Sequence, residues 1–140
     1  MPVGIPPIWV KIRPQPWASL IATGQKQYET RGWSTNYRGL IAIHAGMNCH
    51  IEFCKIFDLN PAEIPKGAIV AIANLVDCIE MCPTFIGTQS ESEIKAGDWQ
   101  PGRFAWRLEN VRAIAPIPLK GHQGLWNIFP KMWNNPKCNQ

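Results

Sequence analysis

Residues 68 to 80, A-I-V-A-I-A-N-L-V-D-C-I-E, are the most apolar uninterrupted stretch of this chain. Alanine and β-branched residues in a run without glycine or proline suit a strand covered on both faces, so a central strand is predicted here. Such a strand needs partners on both edges, and the sequence offers several. Residues 8 to 13, I-W-V-K-I-R, and 39 to 45, G-L-I-A-I-H-A, read as strands, with another at 111 to 117. In R-F-A-W-R-L-E, residues 103 to 109, Phe104, Trp106 and Leu108 point one way and Arg103, Arg107 and Glu109 the other.

Helical signals are fewer. P-W-A-S-L-I-A-T-G places Trp17, Leu20 and Ile21 at i, i+3 and i+4, with Pro16 in a first turn and Gly24 as a C-terminal cap. A second helix is predicted over 48 to 59, capped by Asn48, with Ile51, Cys54 and Phe57 along one stripe. Asn60, Pro61 and Glu63 resemble a capped turn. Residues 83 to 102, rich in Pro, Gly, Ser and Thr, read as a long, flexible surface loop. Many short strands with two helices predict an α+β domain around a small, strongly bent sheet or barrel.

The chain of 140 residues fits a single domain, with a core over 8–127 and a tail over 128–140. No apolar run approaches the ~20 residues of a membrane span. M-P-V-G-I-P-P-I-W-V lacks the pattern of a signal peptide, so a soluble cytoplasmic protein is expected. Five cysteines without an export signal argue against a disulfide framework. Cys49 and Cys54, or Cys78 and Cys82, are not spaced as C-x-x-C, although His50 is close, so free thiols are expected and no metal site.

Charge is unevenly spread. Residues 1–50 carry a net +4, residues 51–100 a net −5 and residues 101–140 a net +5. If the two ends pack together, one side of the fold is basic and suits a polyanion; the alternative is an even scatter once folded. The densest functional pattern is G-Q-K-Q-Y-E-T-R-G-W, residues 24–33. On a strand over 28–33, Glu29, Arg31 and Trp33 share a face while Tyr28 and Thr30 take the other, and Lys26 can lean over the first group. Either this is an exposed ion pair, or a guanidinium set to grip a phosphate and steadied by a carboxylate.

R-P-Q-P-W-A-S-L-I-A-T-G-Q-K-Q-Y-E-T-R-G-W, followed by N-Y-R-G-L-I-A-I-H-A, resembles the ASCH domain (activating signal cointegrator homology). The family pattern G-x-K-x-x-E-x-R is matched by Gly24, Lys26, Glu29 and Arg31, and G-A-I-V-A-I-A-N-L-V-D-C, G-R-F-A-W-R-L-E-N and P-L-K-G-H-Q-G-L-W extend the likeness to about residues 8–127. The resemblance implies a PUA-like fold, a small and mostly antiparallel β-barrel with flanking helices. It also implies a cleft, lined by the signature Lys, Glu and Arg, that binds RNA or another nucleic acid. Some small members of the family hydrolyse N4-acetylcytidine with the signature Lys, a Thr three residues later and a distant Glu. Here the third position is Glu29 and no hydroxyl, while Thr30 faces the other way, which counts against a nucleophile.

The expected role is therefore a nucleic-acid-binding module, with RNA or another single strand preferred as partner. Lys26, Arg31 and Arg38 are expected to contact phosphate or base acceptors, and Glu29 to orient Arg31 or read a base. Trp33 is expected to stack, with Lys120 and Gln123 on the opposite wall. The alternative is an amidohydrolase acting on a modified nucleoside, with Lys26 and Glu29 catalytic. No cofactor is implied. Trp17 reads as core or stacking platform, Trp106 as core, and His44 as a hydrogen-bonded strand end or a catalytic group. Lys26, Glu29 and Arg31 are expected to converge on one concave surface.

Overall fold

A computed structural model describes residues 8–121 and 125–128. Its strands are β1 (Ile8–Gln15), β2 (Tyr28–Arg31), β3 (Gly39–Cys49), β4 (Ala68–Glu80), β5 (Phe104–Pro118) and β6 (Leu125–Ile128). The helices are α1 (Trp17–Ala22), α2 (Ile51–Ile56), α3 (Pro83–Gly87) and α4 (Glu91–Lys95). One sheet holds all six strands in the order β2-β5-β4-β3-β1-β6. Among the described residues only β1 and β3 pair in parallel. The apolar run at 68–80 is β4 and lies inside the sheet between β5 and β3, as its composition predicts.

The expected closed barrel is not what the ladders form. Among the described residues the edge strands β2 and β6 share no hydrogen-bonded register, so the sheet stays open. Each edge strand is only 4 residues long, and β2 is fully engaged by β5 from Tyr28↔Arg107 to Arg31↔Phe104. The sheet bends, however, because β5 shifts register three times against β4 and passes through Asn110 in the left-handed region, at φ 52°. For the same reason the strands expected at 103–109 and 111–117 are a single element of 15 residues.

The main core forms where α1 packs against the sheet. Ala18 and Ile21 meet Ile41, Ile43, Ala45, Val70, Leu75 and Trp106, all buried. Val10, Ala42 and Ile69 form a smaller cluster, with Ile114, Ile117 and Leu119 packed over it. Helix α1 ends as its sequence predicts. Gly24 takes φ 82° and its N–H donates to the Ile21 carbonyl at 3.0 Å.

Two expectations fail locally. The second helix does not begin at Asn48, because the parallel ladder with β1 keeps that stretch extended until Gln15↔Cys49. His50 becomes its N-cap, and Ile51 is left more than half exposed while Cys54 is buried. The 83–102 stretch is not a structureless loop but carries α3 and α4. The Ser90 hydroxyl accepts from the Glu93 N–H at 3.1 Å, the N-cap half of a capping box. Phe85 and Trp99 then pack on Tyr28, with ring centroids 5.9 and 5.4 Å away, and lay the segment against β2. No helix among the described residues is long and apolar enough to cross a membrane.

The seam between α4 and β2 is tight. A Cβ built on Gly97 meets Trp99 Nε1 at 2.9 Å and Thr30 Cγ2 at 3.0 Å. Gly97→Ala is therefore expected to lower stability by ~1–3 kcal/mol, as overpacking does elsewhere, in a urea titration with an unchanged m-value.

Candidate nucleic-acid interface

Strands β1 and β2 are not ladder partners, yet their side chains meet. Glu29, 1% exposed, places Oε2 2.8 Å from Arg13 Nε and 3.9 Å from Arg31 Nη2. The shorter contact is an ion pair without aligned hydrogen bonding. Both Glu29 oxygens and the Nε atoms of Arg13 and Arg31 lack an acceptor or donor in good geometry. One carboxylate thus serves two half-buried guanidiniums, and positive charge is left over.

Lys11 adds to that excess. It is 3% exposed, and burial followed by the Arg31 charge lowers its pKa to about 8, with Glu29 opposing and Arg13 reinforcing the shift. Burial also lowers the pKa of Arg31, with Glu29 acting the other way. Trp33, next to Lys11 and Arg31, is 53% exposed. Its ring lies 5.3 Å from the Arg31 guanidinium carbon and 5.8 Å from Lys11 Nζ, within cation–π range. Its carbonyl accepts from the Trp106 indole N–H at 3.2 Å, so the backbone of this exposed residue is anchored to the core.

Lys11, Arg13 and Arg31 border a cavity of about 900 Å³. Among the described residues Lys11, Arg13, Arg31 and Lys120 line it and no acidic residue does. His44 lies in the same wall, buried, and its Nε2 donates to the Leu119 carbonyl. It thereby ties β3 to the segment that presents Lys120, and it does so from the middle of the strand and not from the expected strand end.

Other signature residues sit differently. Lys26 is completely buried, and its amine donates to the Ala96 carbonyl at 2.6 Å. Burial lowers its pKa to about 8, against the pull of Glu29. Glu93 answers from α4, its carboxylate accepting from the N–H groups of Gln27 and Tyr28 at 3.0 and 3.2 Å. The signature lysine therefore locks the Gly24 turn onto α4 and does not line the large cavity; Arg31 does, with Glu29 directly behind it. Thr30 faces α4, where its hydroxyl accepts from the Asp98 N–H at 3.2 Å.

Arg38, expected to contact phosphate, is solvent-facing and away from the cavity. It precedes β3, whose far end at residues 44–48 forms the cavity wall, and it donates to the Thr35 and Tyr37 carbonyls at 2.9 Å. Gln123 lies outside the described residues. Trp106 is fully buried, whereas Trp17 is half-buried, 4.8 Å from Phe53 between ring centroids. The sequence reading passed over Lys11 and Arg13. Their one signal was that two cations alternate with apolar residues in I-W-V-K-I-R.

Fold and site together define a mixed α+β domain of the PUA-like kind, built around a bent sheet, with a cationic cavity at one end of its central strands. The chain belongs to the ASCH domain family, whose sequence model matches residues 12–118. Activating signal cointegrator 1 of Mus musculus is 24% identical over 92% of this chain, and that of Homo sapiens 24% over 88%. The chain spans about a quarter of the length of these curated relatives, 24% and 22%. Among solved structures, an ASCH protein from Zymomonas mobilis superposes with a TM-score of 0.62 at 16% identity, covering 90% of each chain. A mutant of that protein superposes at 0.59.

Removing the shared carboxylate strands two guanidiniums. Glu29→Ala is expected to cost ~3–5 kcal/mol, the scale of a broken buried pair, measured by urea unfolding. A loss below ~1 kcal/mol would mean that water already neutralises the cluster.

Proposed function

We propose that this domain binds RNA, in single-stranded form, at the cavity between β1, β3 and the Leu119–Gly121 segment. One observation carries the reading: among the described residues four cations and no carboxylate line the cavity, and the acid paired with that cluster, Glu29, is buried behind it. Arg13 and Arg31 grip a phosphate through paired N–H donors, held in register by Glu29. Lys11 and Lys120 add charge from two sides. Trp33, whose exposed ring lies against Lys11 and Arg31, offers a face for a base to stack on. Lys26 supports this site from behind by fixing the turn that leads into β2. Duplex RNA hides its base edges and faces, so a site combining a ring with buried cations suits unpaired nucleotides.

Affinity for a short RNA oligomer, followed by fluorescence anisotropy, is expected to fall with salt at a log–log slope of about −2, given roughly −0.7 for each of three phosphate contacts. Arg31→Ala should weaken binding about ten- to a hundredfold, the range for a charged hydrogen bond. A flat salt response with unchanged affinity in that variant would refute the proposal.

Lys11 supplies a pH signature. Its amine is charged below its folded pKa of about 8 and neutral above, so RNA affinity should decline as pH rises from 7 to 9. Lys11→Met should bind more weakly at pH 7 and lose most of that decline.

A further inference from the structure

Arg13 and Arg31 do not only face the large cavity. Both also line a second one, of about 330 Å³, so their side chains form a wall shared by two spaces. Trp17 and Phe53 line the second space. Their placement departs from what α1 does elsewhere: Ala18, Leu20 and Ile21 are fully buried, whereas Trp17, at the start of the same helix, remains half-buried. The two rings are tilted by 56° at 4.8 Å and border a space instead of filling it. Lys95 and Arg103 stand at the same cavity, although each is near an acid, with Lys95 Nζ 3.2 Å from Glu91 and Arg103 Nε 3.5 Å from Asp98. Asp98 lines this cavity too, whereas the two arginines of the shared wall have the single carboxylate of Glu29 between them, so the wall keeps the surplus positive charge.

A guanidinium wall flanked on one side by Trp33 and on the other by Trp17 and Phe53 has the order of a nucleic-acid strand: ring surface, anion grip, ring surface. We propose that the site takes two adjacent unpaired nucleotides. Their linking phosphate rests on Arg13 and Arg31, one base lies on the large-cavity side and reaches the exposed Trp33 ring beside Lys11 and Arg31, and the next enters the second cavity against Trp17 and Phe53. This rests on reading the large cavity as a nucleic-acid site. The phosphate meets the accessible remainder of the two arginine side chains, which keep 14% and 16% exposure while their Nε atoms lie buried on the Glu29 side. Glu29 keeps both arginines in place while leaving the wall positive. A paired, stacked duplex cannot send successive bases to opposite sides of such a wall, so the arrangement selects single strands.

The test separates the second base from the second charge. Adenosine 3′,5′-bisphosphate (pAp) carries the linking phosphate without a second base, and the 5′-phosphorylated dinucleotide pApA carries both. Calorimetric titration of the intact chain is expected to show pApA binding about tenfold or more tighter than pAp, the gain from one stacked base. Phe53→Leu and Trp17→Leu should bring that ratio close to one while leaving pAp affinity unchanged. If Trp17→Leu does not fold, Phe53→Leu alone decides. Equal affinities for pAp and pApA in the wild-type protein would overturn the proposal and leave the large cavity as a one-nucleotide site. Equal weakening of both ligands by Phe53→Leu would overturn it too. Failure of pAp, pApA and a hexaadenylate to bind at low salt would instead bring down the nucleic-acid reading itself, and this inference with it.

Discussion

The contact on which the site depends is the ion cluster around Glu29, which joins two strands that the backbone leaves apart. β2 is at one edge of the sheet and β1 is one strand from the other edge. No ladder connects them, yet the Glu29 carboxylate reaches Arg13 at 2.8 Å and Arg31 at 3.9 Å. Side-chain electrostatics thus hold together a bend that hydrogen bonds alone leave open. Burying charges is costly unless they are paired, and here pairing is incomplete by design of the count: one acid faces several bases. That surplus is tolerable in the free protein because Arg31 borders a cavity open to water, and it becomes an asset once an anion enters.

Two other contacts keep the cluster in position. Lys26 and Glu93 form a reciprocal clamp, an amine on the end of α4 and a carboxylate on the N–H groups that open β2. Each satisfies backbone groups that a buried turn and a helix end would otherwise strand. His44 performs the equivalent task on the far wall by fixing the Leu119 carbonyl. Strand β2 is short, and its 4 residues make a poor platform by themselves. Clamped to β5 on one side and α4 on another, it can hold Arg31 steady for a ligand.

Much of the fold was legible because it rests on local pattern. The apolar run of β4, the alternation of Phe104, Trp106 and Leu108, and the Pro16 to Gly24 frame of α1 each encode an element through periodicity and end chemistry. The signature residues Lys26, Glu29 and Arg31 were legible as a group. What could not be read was the division of labour among them. Exposed and buried lysines look alike in sequence, and Lys26 is buried because α4 closes over it. Helix α4 was itself announced by Ser90 and Glu93, an S-x-x-E pair hidden in a stretch whose Pro and Gly content suggests a loop. Lys11 and Arg13 were passed over because two cations on a strand ordinarily face solvent.

The sequence by itself determined β4, the alternating start of β5 and the frame of α1, and that a carboxylate and a guanidinium occupy one face of β2, because side-chain alternation and capping act over a few residues. Tertiary structure decided everything that depends on distant partners. It brought Arg13 of β1 to Glu29 of β2, drew Lys26 inward to Ala96, and left Arg38 at the opposite end of β3 from the cavity. It also left the sheet open among the described residues, since closure depends on whether two short edge strands meet. The physical reason is the range of the forces. Periodicity is a property of neighbours along the chain, whereas burial and ion pairing are set by which surfaces the bent sheet brings together.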